Sequence, residues 1–158
     1  AAGGRIASRP IVKDTQTPEA GVIETYRGVV YPWQIDQIGH MNVQFYTARF
    51  DEATWHLCAT LGITPGFLRE NRRGMAAVDQ HTKYKRELHS GALIRICSEV
   101  LEIREKTVRI MHRMYDVECG AEAASSELLA VFIDSEARRS VPFPADIAGR
   151  ARQAIRPR

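Results

Sequence analysis

One stretch breaks the pattern of the whole chain. Over residues 43–61, Phe45, Tyr46, Phe50, Ala53, Leu57 and Leu61 recur at three- and four-residue spacing, which predicts a helix with one broad apolar face. Asn42 stands in front of it as an N-cap, and Gly62 with Pro65 shortly after ends it. Most of the remaining patterned sequence alternates as strands do. One such run covers 21–31, ahead of the helix; four follow it, over 75–88, 92–103, 106–117 and 122–134. Within the third run Ile94, Ile96 and Val100 oppose Arg95 and Glu99, and the triplets His89-Ser90-Gly91 and Glu118-Cys119-Gly120 mark turns. Turns this short predict an antiparallel meander. A helix so apolar does not stand alone in water. The economical solution is an α+β domain in which a curved antiparallel sheet wraps one long central helix. The sheet's outer face still carries apolar residues, which predicts a partner subunit.

The 158 residues suit one domain, and 44% hydrophobic with 26% charged residues is enough to build a core. Residues 1–20 lack any apolar period and are expected to form a flexible arm or linker. The domain proper is expected over 21–147, with residues 62–73 forming a loop or a short helix around 67–72. A basic tail over 148–158 follows, and a short helix is expected over 146–155. The net charge of +3 is small and scattered. It argues against nucleic acid and is compatible with an anionic substrate. No apolar run approaches the ~20 residues that span a bilayer, so no membrane partner is expected. Three cysteines with no close pair point to free thiols and a reducing cytoplasm. No His-x-x-x-His or Cys/His spacing suggests a metal. No glycine-rich phosphate loop suggests a nucleotide cofactor either.

The chemistry concentrates in Trp33-Gln34-Ile35-Asp36-Gln37-Ile38-Gly39-His40-Met41-Asn42. A carboxylate, an imidazole and an amide lie within seven positions, immediately before a helix. A helix N-terminus offers free N–H groups and partial positive charge, where a carbonyl oxygen can be held as it becomes an oxyanion. A carboxylate just upstream can reach the same carbonyl carbon or a water beside it. Asp and Asn before a helix also serve simply as turn formers and caps. His40 has three readings: orienting Asp36, touching substrate, or bonding the loop backbone.

The string Asp36-x-x-Gly39-His40-x-Asn42, continued by Phe45-Tyr46 and Phe50-Asp51-Glu52-Ala53, resembles the 4-hydroxybenzoyl-CoA thioesterase family of hotdog-fold enzymes. Tyr84-x-x-Glu87-x-x-x-Gly91 and Val131-x-Ile133-Asp134, running on to Pro142-x-Pro144, extend the likeness over roughly residues 22–147. The resemblance implies a β-α-β-β-β-β hotdog order. It implies homodimers with active sites at the subunit interface, often paired into homotetramers. It implies that Asp36 acts as nucleophile or general base, and that backbone N–H near Val43 forms the oxyanion hole. Two departures stand out: Gln34 replaces an Asp, and Val43 replaces a second Asn.

The expected activity is hydrolysis of an acyl-CoA thioester, with Asp36, His40, Asn42 and Val43 at the reacting centre. Phe45 and Tyr46 would line the acyl pocket, and Lys83 and Arg86 would meet the coenzyme A phosphates. Coenzyme A is part of the substrate and no separate cofactor is expected. Alternatives from the same sequence are an acyl-carrier-protein thioesterase, a hotdog hydratase or dehydratase using Asp36 with His40, and a non-catalytic acyl-CoA-binding module.

Overall fold

The computed structural model describes residues 19–155; residues 1–18 of the expected arm lie outside them. Strand β1 (Val22–Val29) leads through a single 3-10 turn (Pro32–Gln34) to α1 (Val43–Thr60) and a short α2 (Pro65–Asn71). Then come β2 (Arg73–Tyr84), β3 (Leu93–Ile103), β4 (Thr107–Asp116), β5 (Glu122–Asp134), the two-residue β6 (Arg139–Ser140) and α3 (Ala145–Ala154). The elements fall close to where periodicity places them.

The strand order is β1-β3-β4-β5-β2, antiparallel throughout, with β6 on β5. The meander is therefore shorter than the sequence suggests, because it holds β3, β4 and β5 only. Both edges of β3 are taken, by β1 (Val22↔Glu99 to Val29↔Leu93) and by β4. Strand β2 instead pairs with β5 from Arg73↔Asp134 to Tyr84↔Ala124 and forms the far edge.

The curled antiparallel sheet carries the helix as the hotdog fold requires. Tyr46, Phe50, Ala53, Leu57 and Cys58 form the buried stripe of α1. They meet the side chains that strand alternation turns inward: Ile94, Ile96 and Val100 of β3, Val108, Ile110 and Met114 of β4, and Leu128, Ala130 and Phe132 of β5. Helix α3 seals the far end of this core with Ile147, Ala148 and Ala151. The domain boundary expected at 147 thus falls inside a helix whose next turn is core. Arg150 of that helix donates from Nε to the Leu61 carbonyl at 2.7 Å and satisfies one of the free carbonyls that end α1. All three cysteines are unpaired, Cys58 and Cys97 buried and Cys119 exposed.

One polar side chain sits at the heart of the apolar contact. His112 of β4 is fully buried between helix and sheet. Thr54 donates its hydroxyl proton to the Phe50 carbonyl at 2.9 Å, so at 2.9 Å it accepts from His112 Nε2–H. Nδ1 is then an acceptor, and Ser98 fills it at 2.6 Å while itself accepting from Thr25 at 2.6 Å. One neutral imidazole thereby ties α1 to β1, β3 and β4. Burial pushes its pKa down from 6.5 to about 4.

The pH dependence follows. Below about pH 6.5 the unfolded chain takes up a proton that the folded protein refuses until about pH 4. The stability contributed by the neutral imidazole is complete above pH 6.5 and is lost as pH falls towards 4, by ~3 kcal/mol at most. Urea unfolding at a series of pH values should show this loss in the native protein. His112→Leu should be less stable at pH 7.5, yet lose less between pH 7 and pH 4.5. Parallel pH profiles for the two proteins would contradict the assignment.

Candidate active site

The loop before α1 is folded by its own backbone. Ile35 and Met41 form an isolated antiparallel bridge, closed by Asp36 N–H to the His40 carbonyl at 3.1 Å and Gly39 N–H to the Asp36 carbonyl at 3.0 Å. Gly39 takes φ +96°, a conformation that a side chain makes costly. The buried Gln34 anchors the loop from below. Its side-chain oxygen accepts from Tyr31 N–H at 3.0 Å, and its carbonyl accepts from Asn42 N–H at 2.9 Å.

Asn42 joins the loop to the helix. Its Oδ1 accepts from Gln44 N–H at 3.1 Å as the N-cap, and its Nδ2 donates to Asp36 Oδ2 at 3.4 Å. Asp36 Oδ1 accepts from Ile38 N–H at 2.9 Å. The carboxylate is thus held by one backbone and one side-chain donor, and it is half-buried. The Asn42 side chain takes up Gln44 N–H and its carbonyl takes up Phe45 N–H at 3.0 Å. Val43 is the first residue of the helix, so its N–H has no intrahelical acceptor. It lies at the wall of a pocket.

That pocket, about 380 Å³, is lined by His40, Met41, Val43, Tyr46, Tyr84, Lys85, Arg86 and Glu87. Tyr46 is buried and donates its hydroxyl to the Arg86 carbonyl at 3.4 Å. Desolvation raises its pKa to about 12, so it enters as a neutral phenol. Its ring meets that of Tyr84 edge to face at 5.2 Å. The Lys85 ammonium is engaged by Glu122 at 2.6 Å.

Four of the residues singled out from sequence therefore line one pocket: His40, Val43, Tyr46 and Arg86. Asp36 and Asn42 stand next to it, joined to each other and to the helix start. The His40 side chain makes no hydrogen bond to the Asp36 carboxylate; its Nδ1 lies 3.3 Å from the Met41 carbonyl, and its Nε2 is 4.0 Å from Glu87 Oε1. Phe45 packs into the core beside the pocket instead of lining it. Lys83 is exposed, opposite Ser125 on β5, and does not line the pocket. Alternation along β2 sends its neighbour Tyr84 the other way. Trp33, at 71% exposure, is no core residue and stacks on Tyr31 at 4.5 Å. Sequence reasoning gave no functional weight to Glu87. The signal available was its place just before Leu88, whose carbonyl accepts from Met41 N–H at 2.7 Å and so binds the 85–89 segment to the end of the 35–41 loop. Among the described residues, no three His, Cys, Asp or Glu side chains are grouped so as to hold a metal ion.

Comparison with known proteins agrees with this architecture. Residues 30–151 match the model of the thioesterase-like superfamily. A betainyl-CoA thioesterase of Pseudomonas aeruginosa is 26% identical over 129 residues, 82% of this chain and 81% of that protein. An L-carnitine dehydrogenase/betainyl-CoA thioesterase of Rhizobium meliloti is 25% identical over 72% of this chain, which spans only 23% of that longer protein. A Staphylococcus aureus protein solved in complex with CoA superposes with a TM-score of 0.78 at 19% identity, over 84% of each chain. The chain belongs to the thioesterase-like superfamily and is a thioester hydrolase.

Proposed function

We propose that this protein hydrolyses acyl-CoA thioesters at the start of α1. The observation that carries the reading is the side chain of Asn42, which caps the helix and holds Asp36 at the same time. The thioester carbonyl sits against Val43 N–H, whose dipole and the helix terminus behind it stabilise negative charge on oxygen. The Asp36 carboxylate either attacks the carbonyl carbon or takes a proton from the water that does. In the first route the C–S bond breaks, CoA leaves as thiolate, and water hydrolyses the Asp36 acyl anhydride. In the second, water adds directly and CoA leaves from the tetrahedral intermediate. Both give a carboxylic acid and CoA, and neither calls on a cofactor. Arg86 supplies positive charge for the coenzyme's phosphates. Two of the relatives bear the betainyl-CoA thioesterase name, so a short acyl group carrying a quaternary ammonium belongs first in any substrate panel.

A homodimer formed through β2 completes the site in this reading. Strand β2 is a twelve-residue edge with Val78 57% exposed, the type of edge that proteins cover. Free thiols on all three cysteines suit a reducing, cytoplasmic setting; no helix among the described residues is long and apolar enough to cross a membrane.

Three measurements test this. Thiol release from acyl-CoA esters should fall ~10²–10⁴-fold in Asp36→Ala, and full turnover by a folded Asp36→Ala would sink the mechanism. Asn42→Asp keeps an acceptor for Gln44 N–H but sets a second carboxylate against Asp36. The acid limb of kcat/KM should therefore move to higher pH, whereas an unmoved limb would detach Asp36 from the rate. Analytical ultracentrifugation should give a dimer for the native chain and a shift towards monomer for Val78→Lys.

A further inference from the structure

We infer that His89 is a positioning residue for the reaction: its imidazole pins the Gly39 carbonyl and so holds the turn that carries Asp36, an inference that rests on the thioesterase reading for the part Asp36 plays.

The turn needs an anchor from outside. Residues 36–39 close on themselves, with Gly39 N–H on the Asp36 carbonyl at 3.0 Å and Ile38 N–H on Asp36 Oδ1 at 2.9 Å. The carboxylate therefore goes wherever the turn goes. Burial does not fix the tip. Gln37, Ile38 and Gly39 are all exposed, Ile38 by 74%. A Cβ placed on Gly39 would meet nothing within 4 Å. A tip so exposed gains little from packing and is held by its hydrogen bonds.

His89 supplies the bond from outside. Its Nδ1 stands 3.0 Å from the Gly39 carbonyl oxygen, across 50 positions of sequence. A carbonyl can only accept, so Nδ1 carries the proton. The base under the imidazole is firm. Leu88, just before it, is 1% exposed and takes Met41 N–H at 2.7 Å. The His89 carbonyl accepts from Ala92 N–H at 3.0 Å. The turn it opens is fastened to the end of β1, by Gly91 N–H to the Val30 carbonyl at 2.7 Å and Val30 N–H to the Ala92 carbonyl at 2.9 Å. On the far side of the ring, Glu87 Oε2 lies 3.9 Å from Nε2. Leu88 and His89 thus hold Met41 and Gly39, one by main chain and one by side chain.

A carboxylate that must meet a thioester carbon tolerates little error, and misplacement by ~1 Å can cost ~10²-fold in rate. With the pin cut, the turn still closes on itself but swings about its ends at Ile35 and Met41, which the backbone bridge holds. The loss falls on the chemical step, so kcat drops and KM stays near its native value.

Two substitutions separate the pin from the bulk of the ring. His89→Asn sets an amide N–H close to the place of Nδ1–H, whereas His89→Leu fills similar space with no donor. The side chain is 67% exposed, so neither change puts the core at risk. Kinetics are read as thiol release from an acyl-CoA that the native protein turns over. In His89→Leu kcat should fall ~10-fold with KM within about twofold, and His89→Asn should recover most of kcat. In an Asp36→Ala background His89→Leu should cost nothing further, because it acts through Asp36. Native kcat in His89→Leu, equal loss in both variants, or a full additional loss without Asp36 overturns the assignment. Hydrogen exchange at the Ile38 and Gly39 amides reads the pin with no substrate present. It should quicken in His89→Leu and not in His89→Asn; unchanged exchange in His89→Leu also overturns the assignment. If exchange responds as expected but the native protein releases thiol from no acyl-CoA, the pin stands, and the thioesterase reading falls together with the catalytic part of His89.

Discussion

The candidate site depends on where α1 begins, and Asn42 decides that. Three of its groups are committed at once: its N–H to Gln34, its Oδ1 to Gln44 N–H, and its Nδ2 to the Asp36 carboxylate. Starting the helix one residue later would move the first free N–H by ~1.5 Å along the axis and about 100° around it. The donor would then no longer face the pocket, and Asp36 would lose its side-chain partner. An N-cap is ordinarily a contribution of ~1 kcal/mol to stability. Here the same bond also fixes the distance between a carboxylate and an electropositive helix end.

A cap alone cannot stop a helix from rotating in its cradle. The apolar stripe of α1 tolerates small shifts, because Phe50, Leu57 and their neighbours would still be buried. The His112 contact does not. Thr54 and His112 meet only in one rotation and one axial position, and a slip would leave the buried His112 Nε2–H without an acceptor at a cost of ~1–3 kcal/mol. Arg150 repeats the constraint at the other terminus by closing the Leu61 carbonyl. The helix is thus held at its start, its middle and its end by polar bonds, with hydrophobic burial supplying most of the energy between them.

This division explains what was legible in the sequence. The helix from 43, the strands and the turns follow from local period and turn chemistry, and all are found within a few residues. The place of β2 is not local. Nothing in 73–84 says that its partner is β5, fifty residues on, because pairing is settled by which strand edges remain free. His112 looked like any histidine in an alternating strand, since its role needs Thr54 and Ser98 to arrive from elsewhere. The loop residues Asp36 and Asn42 were legible because capping chemistry is written in adjacent residues. Lys83 was chosen by charge alone, where strand alternation decides direction and gives the pocket wall to Tyr84. Glu87 enters the sequence reading only within the Tyr84-x-x-Glu87-x-x-x-Gly91 likeness, with no role attached to it. Its nearness to His40 is created by the Met41–Leu88 backbone bond, a contact between segments forty-seven positions apart.

The two departures from the resembling family now have physical content. Gln34 is buried, with its side-chain oxygen used by Tyr31 N–H and its carbonyl by Asn42 N–H. A carboxylate in that position would be a buried charge, and desolvation would raise its pKa or distort the loop. The neutral amide makes the same acceptor bond without that cost, and it leaves Asp36 as the one acidic side chain between Gln34 and Asn42. Val43, 53% exposed, replaces an amide with an apolar lip at the head of the helix. Polar side chains are thereby thinned around the Val43 N–H, which strengthens the electrostatic effect of the helix end on a carbonyl placed there. Charge is concentrated instead on the 85–87 segment leaving β2, across the pocket. In the proposed reaction, bond-making belongs to the loop that starts the helix, and the strand end faces that loop across the pocket. The Met41–Leu88 bond keeps the two in register.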